Sequence, residues 1–376
     1  MHRYLVLVLF IVLINWGCEE NPNSSGEKLD PIITFEKNVG NAKSAVRQTK
    51  DEGYIIAGGK GGKAWLLKLD KYGNEEWQNT YSLGSFGLTR AVIQTNDGGY
   101  LYASWEGIVK ADSNGVEEWK NSVAGQYPNY EDVIQHSNGN YYAVGGPSGG
   151  QAKFVKFSPQ GNILTQKYFG TNCEDDIFRS ITESNDGMLI VVGEKSHGNQ
   201  SYDCAFNFMY YKDFWILKLK KNGGLIWEKT YGGDGDDRGY DFREESNSYL
   251  LLGSTSSYGN GGHDIWLLKI DQNGNEIWSN TYGSSNNEYG RSIINTEDEG
   301  YLIFATSESF GNDNTDLHNI KVDSVGSQQW IKSFGGFYGK NGNVLQKSPI
   351  GGYILISSRY SFNNNSYNMW LIKMAL

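Results

Sequence analysis

One short pattern recurs along almost the whole sequence. An aromatic or apolar run that follows a turn-forming residue appears seven times, at intervals of about 40 to 60 residues. The copies are DEGYIIAGG from Asp51, DGGYLYASW from Asp97, SNGNYYAVGG from Ser137, NDGMLIVVG from Asn185, SNSYLLLGS from Ser246, DEGYLIFAT from Asp298 and IGGYILISS from Ile350. A repeat of this length is typical of β-propellers, in which each unit forms one small sheet, or blade.

Each repeat contains four strand-like segments separated by turn residues. In the unit that begins at Tyr289 they read YGRSIINT, GYLIFAT, DLHNIKV and QWIKSF, which we name strands A to D. Glycine and asparagine in the A–B and C–D turns can adopt the positive φ that tight hairpins require. No segment has the pattern of a long helix. The sequence therefore predicts an all-β fold of four-stranded antiparallel blades.

The two ends of the repeat region complement each other. The seventh C strand, NMWLIKM, is followed by no D strand, whereas a D-like segment, IITFEKNVG, precedes the first A strand. Pairing the two would remove an exposed sheet edge. We therefore predict that residues 32–376 form a seven-bladed propeller, with the N-terminal strand completing the last blade and closing the ring.

Tryptophan marks the same two places in most repeats. Strand D begins at Trp77, Trp119, Trp227, Trp278 and Trp330, and the core of strand C begins at Trp65, Trp215, Trp266 and Trp370. A buried aromatic ring removes about 150–250 Å² from water. We expect each indole to fill the wedge-shaped space between neighbouring blades. The tryptophans would then recur because every pair of blades has the same space to fill.

These phrases resemble the repeats of secreted and lipid-anchored β-propellers of Bacteroidota. The shared pattern is Asp-Gly-Gly-Tyr, then Trp-Leu-x-Lys-Leu-Asp, then Gly and Trp-x-Lys-Thr-Tyr-Gly-Gly, and it covers nearly all of the chain after its first segment. The KLDxxGxxxW portion is more distantly similar to quinoprotein-like propellers. The resemblance implies the propeller fold, and fold alone does not dictate activity.

The first residues have the pattern of an export signal. Arg3 precedes an apolar run from Leu5 to Ile14, which is too short to span a bilayer as a helix, and Gly17 precedes Cys18. We interpret residues 1–17 as a lipoprotein signal peptide, Cys18 as the lipidated residue and residues 18–31 as a flexible tether. An ordinary cleaved signal with an incidental cysteine is the alternative. We expect a monomeric outer-membrane lipoprotein that faces the periplasm or the cell surface.

Charge and motifs narrow the classes of function. The formal net charge of −10 disfavours a nucleic-acid partner, which needs a basic surface. Lysine recurs at one strand C position in every unit, and such a repeated feature is more readily structural than catalytic. Acidic pairs such as Asp175–Asp176 and Asp236–Asp237 leave calcium open, although turn capping explains them more simply. No zinc spacing, P-loop or nucleophile elbow is present, so we predict no cofactor and no other metal.

Binding residues are sought where the repeats differ from one another. The last four B–C loops share SHGN, SYGN, SFGN and SFNN, which place His197, Tyr258, Phe310 and Phe362 on one face, with His263 nearby. Loops on a rigid scaffold commonly carry binding, although the same motif also suits plain turns. Cys173 and Cys204 are expected to share that face and to form a disulfide.

Strand A is the innermost strand of each predicted blade, and the seven A strands differ from one another at one aligned position. It holds Ser44, Arg90, Glu131, Arg179, Tyr240, Arg291 and Gly342. The three arginines would lie near the mouth of the channel, where they could receive a carboxylate or phosphate. Pairing with Glu131, Asp175 or Glu288 is the alternative.

The leading functional hypothesis is a non-enzymatic scaffold of the cell envelope. It would bind a glycan, a peptide or a protein on its loop-rich face, and it would be attached to the membrane by its lipid. The alternatives are a propeller enzyme, quinoprotein-like or carbohydrate-active, that uses the arginines and Tyr240 with His197 or His263, and an outer-membrane assembly accessory.

Overall fold

Every regular element in the described part of the chain is a β-strand. The computed structural model describes residues 32–38, 45–83, 89–122, 128–146, 150–171, 175–197, 211–308, 316–334, 344–348, 352–361 and 366–375. Those ranges contain 28 strands. They contain no helix long and apolar enough to cross a membrane.

The strands follow one another in blades of four. The N-terminal strand is β1 Ile32–Asn38, and blade 1 contains β2 Ala45–Gln48, β3 Tyr54–Lys60, β4 Lys63–Leu69 and β5 Glu75–Tyr81. Blade 2 contains β6 Thr89–Gln94, β7 Tyr100–Ser104, β8 Ile108–Ala111 and β9 Glu117–Asn121, and blade 3 contains β10 Tyr130–Gln135, β11 Tyr141–Gly145, β12 Ala152–Phe157 and β13 Ile163–Phe169. Blade 4 contains β14 Ile177–Glu183, β15 Leu189–His197, β16 Tyr211–Leu219 and β17 Leu225–Tyr231, and blade 5 contains β18 Asp237–Glu244, β19 Ser248–Thr255, β20 Asp264–Asp271 and β21 Glu276–Tyr282. Blade 6 contains β22 Glu288–Asn295, β23 Tyr301–Ser307, β24 Asp316–Val322 and β25 Gln328–Phe334, and blade 7 contains β26 Val344–Lys347, β27 Tyr353–Ser361 and β28 Ser366–Ala375.

The sheet topology confirms the predicted seven blades of four antiparallel strands. In blades 1 to 6 the strands are hydrogen-bonded in chain order, so each blade is a simple meander. In the last blade the order is β1-β28-β27-β26, and β1 pairs with β28 antiparallel from Ile32↔Ala375 to Asn38↔Trp370. The N-terminal strand therefore takes the place of a fourth strand, as the offset of the repeats predicts.

Contacts also join the first blade to the last. The backbone N–H of Gln48 donates to Oε1 of Gln346 at 3.0 Å. Ile354, in β27, packs into the same apolar cluster as Val46, Ile56 and Leu67 of blade 1. Burial of aliphatic side chains between blades is the main favourable contribution to such contacts.

The core lies between blades, and the tryptophans explain part of its repetition. The strand C residues Trp65, Trp215 and Trp266 are buried. A strand D indole packs instead over the C–D turn of the next blade, because a Cβ added at Gly115 would lie 2.5 Å from the ring of Trp77. The φ of Gly115 is +77°, which also favours glycine. The same contact joins Trp119 to Gly161 and Trp278 to Gly326.

The repeated strand C lysines are part of the scaffold. Each described ion pair of this kind joins the lysine to the acidic residue of the turn that ends strand A or to a neighbouring strand D carboxylate. Lys68 pairs with Asp51 and Glu76, both at 2.8 Å, and Lys110 pairs with Asp97 at 3.0 Å. The side chains of both lysines are almost fully buried. Their stems cover apolar surface while the charge is satisfied within the blade.

Candidate functional site

The innermost strands of five consecutive blades contain a bulge at the same place. The pairing of strands A and B slips by one residue at Arg90, Glu131, Arg179, Tyr240 and Arg291. A β-bulge leaves its extra residue out of the ladder and changes the direction of its side chain. These are the described members of the aligned position that differs between repeats. Ser44 and Gly342 lie outside the described residues.

The five bulge residues, which we call the bulge ring, line one central cavity. Its volume is about 700 Å³, and the seven innermost strands all contribute to its wall. Pockets of this size hold drug-sized ligands or short segments of a larger partner. The ring lies toward the end of the channel where strand B ends and strand C begins, because Arg90 contacts Trp105 and Arg179 contacts Glu194 there.

On the side of blades 2 to 4 the arginines of the ring are paired. Glu131 lies between them, with Oε1 3.6 Å from Nε of Arg90 and Oε2 3.5 Å from Nη1 of Arg179. Arg90 also stacks on Trp105, at 5.6 Å from the ring centroid. The pairing with Glu131 is one of the alternatives that the sequence left open, and these two arginines adopt it.

A second, fully buried carboxylate completes the environment of Arg179. Glu194, near the end of β15, accepts a hydrogen bond from Nε of Arg179 at 2.9 Å and another from Nζ of Lys212 at 3.0 Å. Burial would raise the pKa of Glu194, but the attraction of these cations lowers it to about 2. Burial likewise opposes the charge of Arg179, yet Glu194 and Glu131 raise the pKa of its guanidinium above the usual value. In this part of the channel wall the charged side chains are paired with one another.

On the side of blades 5 and 6 the environment of the arginine is aromatic. The guanidinium carbon of Arg291 lies 4.9 Å from the ring centroid of Tyr240 and 5.1 Å from that of Tyr289. The ring of His263 stacks on Tyr289 at 5.2 Å. Within the described ranges no carboxylate lies within ion-pair distance of Arg291, and its buried Nε has no hydrogen-bond partner there. The predicted alternative of pairing with Glu288 is therefore not adopted by Arg291.

The other polar groups on this side of the channel contact one another. Nε of Arg238 donates to Oδ2 of Asp236 at 2.8 Å, and Nε2 of His263 lies 3.9 Å from the same oxygen. Burial, followed by the charge of Arg238, lowers the pKa of His263. A lowered pKa keeps the imidazole neutral near pH 7, so His263 acts as an aromatic support for Tyr289 rather than as a cation.

The other predicted site residues lie elsewhere. Tyr258 lines a separate groove of about 540 Å³ between blades 4 and 5, where its hydroxyl donates to the carbonyl of Gly232 at 2.9 Å and its ring packs on Trp266. His197 ends β15, but its side chain lies outside the described residues. The same holds for the whole of Cys18, Cys173, Cys204, Phe310 and Phe362.

Sequence reasoning missed the residues that separate the two sides of the channel. Glu194 and Lys212 lie on strands B and C of blade 4, and Arg238 lies on the innermost strand of blade 5 but two residues before the aligned position. A signal for Glu194 was present, because it is a charged residue that directly follows the apolar strand LIVVG. A charge in such a place is rarely buried unless it is paired. As for metals, the described residues contain no group of three or more histidine, cysteine or acidic side chains that could hold one.

Comparison with known proteins identifies the fold and no family. No protein-family model and no curated protein matches the sequence. Similar solved structures include the WD40 domain of Neurospora crassa Pan2, with a TM-score of 0.57 and 10% identity over 88% of this chain and 89% of that one. BBS1N in complex with ARL6DN has a TM-score of 0.52 and 7% identity over 91% and 96% of the two chains. Drosophila Plexin A in complex with Semaphorin 1b has a TM-score of 0.52 and 8% identity over 92% and 87%. The chain therefore has the β-propeller fold.

Proposed function

We propose that this protein is a non-enzymatic binding scaffold of the cell envelope that holds its partner at the mouth of the propeller channel. The observation that carries the proposal is the bulge ring. The same bulge recurs in five blades, but the residue displayed there changes from blade to blade, around a cavity of about 700 Å³. A repeated backbone feature that presents non-repeated side chains is suited to recognition.

The residues that recur from blade to blade maintain the scaffold, which leaves recognition to the residues that vary. The strand C lysines pair within their blades, and the tryptophans fill the spaces between blades. Such positions maintain the scaffold, and fold alone does not determine activity. Two of the similar propellers are complexes with a protein, which supports a protein or peptide as one class of partner.

The proposal includes the location of the protein. The N-terminal segment supports export, lipidation at Cys18 and attachment to the outer membrane through a tether of residues 18–31. Metabolic labelling with a fatty-acid analogue tests this part, since the label should be lost in Cys18→Ser.

Binding by the channel mouth is tested with arrays of envelope glycans and peptides. The full-length protein in detergent is compared with Tyr240→Ala, which removes one aromatic wall of the ring, and with Lys71→Gln, an exposed residue of a C–D turn. We expect a ligand that wild type and Lys71→Gln retain and that Tyr240→Ala loses. A ligand unaffected by Tyr240→Ala would place the site elsewhere, and turnover of a ligand would favour the enzyme alternative.

A further inference from the structure

We propose that Arg291 binds a carboxylate that a protein partner supplies on a short acidic segment. This inference rests on the proposed function and specifies what the channel mouth recognises. It follows from a comparison of two arginines that the fold holds in the same way but surrounds with different groups.

The backbones of Arg179 and Arg291 are fixed by the same device. Oδ2 of Asp132, in blade 3, accepts hydrogen bonds at 3.0 Å from Ser180 Oγ and from the N–H of Ile181, the two residues after Arg179. Two blades further on, Oδ2 of Asp241 accepts bonds of 2.9 Å from Ser292 Oγ and 3.0 Å from the N–H of Ile293, the two residues after Arg291. Each arginine is therefore held at its bulge by an aspartate of the preceding blade.

The two acidic partners of Arg179 have neutral equivalents around Arg291. Glu131, directly before Asp132, corresponds to Tyr240, directly before Asp241. Glu194 pairs with the residue two before Arg179, and Thr306 pairs with the residue two before Arg291. Oγ1 of Thr306 is buried and, like Nε of Arg291, has no hydrogen-bond partner among the described residues.

The contacts of Arg291 favour a planar anion such as a carboxylate. The guanidinium carbon lies 4.9 Å from the ring centroid of Tyr240 and 5.1 Å from that of Tyr289, and these two contacts restrict the orientation of the guanidinium plane. A fixed guanidinium edge matches a carboxylate through two parallel hydrogen bonds. A carboxylate would thus supply from outside what Glu131 and Glu194 supply to Arg179.

The cavity admits a short peptide as the carrier, and two of the similar propellers are complexes with a protein. A volume of about 700 Å³ accommodates a few residues. An aspartate or glutamate side chain and a free C-terminus offer the same group, so the test includes both sources. An acidic glycan is the competing class.

The experiment measures binding of matched fluorescent hexapeptides to the full-length protein in detergent by anisotropy. One set carries glutamate or glutamine at each position with an amidated C-terminus. A second set contains no acidic side chain and has either a free or an amidated C-terminus. Oligogalacturonate serves as the acidic glycan. The variants are Arg291→Gln, Tyr240→Glu, which places a carboxylate inside the site, and Lys71→Gln, which changes the net charge by the same amount as Arg291→Gln.

We expect one carboxylate source to bind about tenfold or more tightly than its neutral twin. That ratio should fall to near one in Arg291→Gln and in Tyr240→Glu, and it should be unchanged in Lys71→Gln. If Arg291→Gln fails to fold, the binding ratio of Tyr240→Glu, which retains the Arg291 guanidinium, tests the inference instead.

A ratio near one in wild type, or a ratio that survives both site variants, would overturn the inference. Tighter binding of oligogalacturonate than of any peptide would overturn the peptide class. If neutral peptides bind and Tyr240→Ala abolishes their binding, the proposed function stands and the carboxylate inference alone fails.

Discussion

The two sides of the channel mouth share the same backbone arrangement. On the side of blades 3 and 4, Arg179 is neutralised by Glu131 and Glu194, and Lys212 joins the same network. On the side of blades 5 and 6, Arg291 occupies the same bulge and lies between two tyrosine rings. The backbone is alike and the charge balance differs. The difference indicates that the first arginine serves stability and the second is available to a ligand.

The largest expected effect follows from removing the buried carboxylate of the paired side. Glu194→Gln leaves Arg179 and Lys212 without their shared counter-charge, and breaking a buried ion pair in this way costs about 3 kcal/mol or more. Urea unfolding of wild type and variant measures the difference. A loss below about 1 kcal/mol, the usual value of an exposed pair, would mean that the network does not stabilise this side.

The same network predicts how stability depends on pH. The pKa of Glu194 is lowered to about 2 in the folded protein, so its stabilisation is complete above its ordinary pKa and is lost as the pH falls toward 2. The pKa values of Asp186 and Asp298 are also lowered to about 2, so the pH dependence of wild-type stability alone does not isolate the contribution of Glu194. The stability difference between wild type and Glu194→Gln should shrink between about pH 5 and pH 2. A constant difference over that range would contradict the assignment.

A smaller effect is expected at the shared partner of the paired arginines. The ion pairs of Glu131 are 3.5 and 3.6 Å long, so Glu131→Gln should cost only about 1 kcal/mol in the same unfolding measurement. The variant should also make Arg90 resemble Arg291, and a carboxylate should then bind on both sides of the channel. Calorimetry with a glutamate peptide would detect the second binding event. A variant that gained no second event would show that losing a counter-charge is insufficient to create a site.

The smallest effect on stability is expected at Arg291 itself. Arg291→Lys keeps a cation between the two tyrosines but removes the planar edge, so the free energy of unfolding should change by less than about 0.5 kcal/mol. Carboxylate binding should nevertheless weaken severalfold, as measured by anisotropy. Equal losses of stability and of binding would indicate that Arg291 is a structural residue.

Much of the scaffold could be predicted from the sequence because every blade solves the same packing problem. The repeat, the tight turns and the N-terminal strand follow from patterns that recur. In three described blade pairs the C–D glycine packs against the strand D tryptophan of the preceding blade, as Gly115 does against Trp77. Local turn chemistry and strand patterning need no knowledge of distant partners.

The candidate site was predictable only in part. Aligning the repeats located the bulge ring, because one aligned position of the innermost strands holds arginine, glutamate or tyrosine in different blades. The alignment did not reveal the bulge itself, since a shifted pairing depends on the partner strand. Nor could it decide which arginines are neutralised, because Glu194, which also pairs with Lys212, approaches Arg179 from a different strand. Long-range charge pairing is a property of the assembled channel.

The most direct test of the account observes the arginines of the channel while a simple carboxylate is added. In protein labelled with ¹⁵N at arginine Nε, N-acetylglutamate α-amide should shift the signal of Arg291 and leave that of Arg179 in place, because Arg179 is ion-paired with Glu194 and the buried Nε of Arg291 has no partner among the described residues. N-acetylglutamine α-amide should shift neither signal. A shift at Arg179 with none at Arg291, or equal responses to the two compounds, would contradict the assignment of the open arginine as the recognition residue.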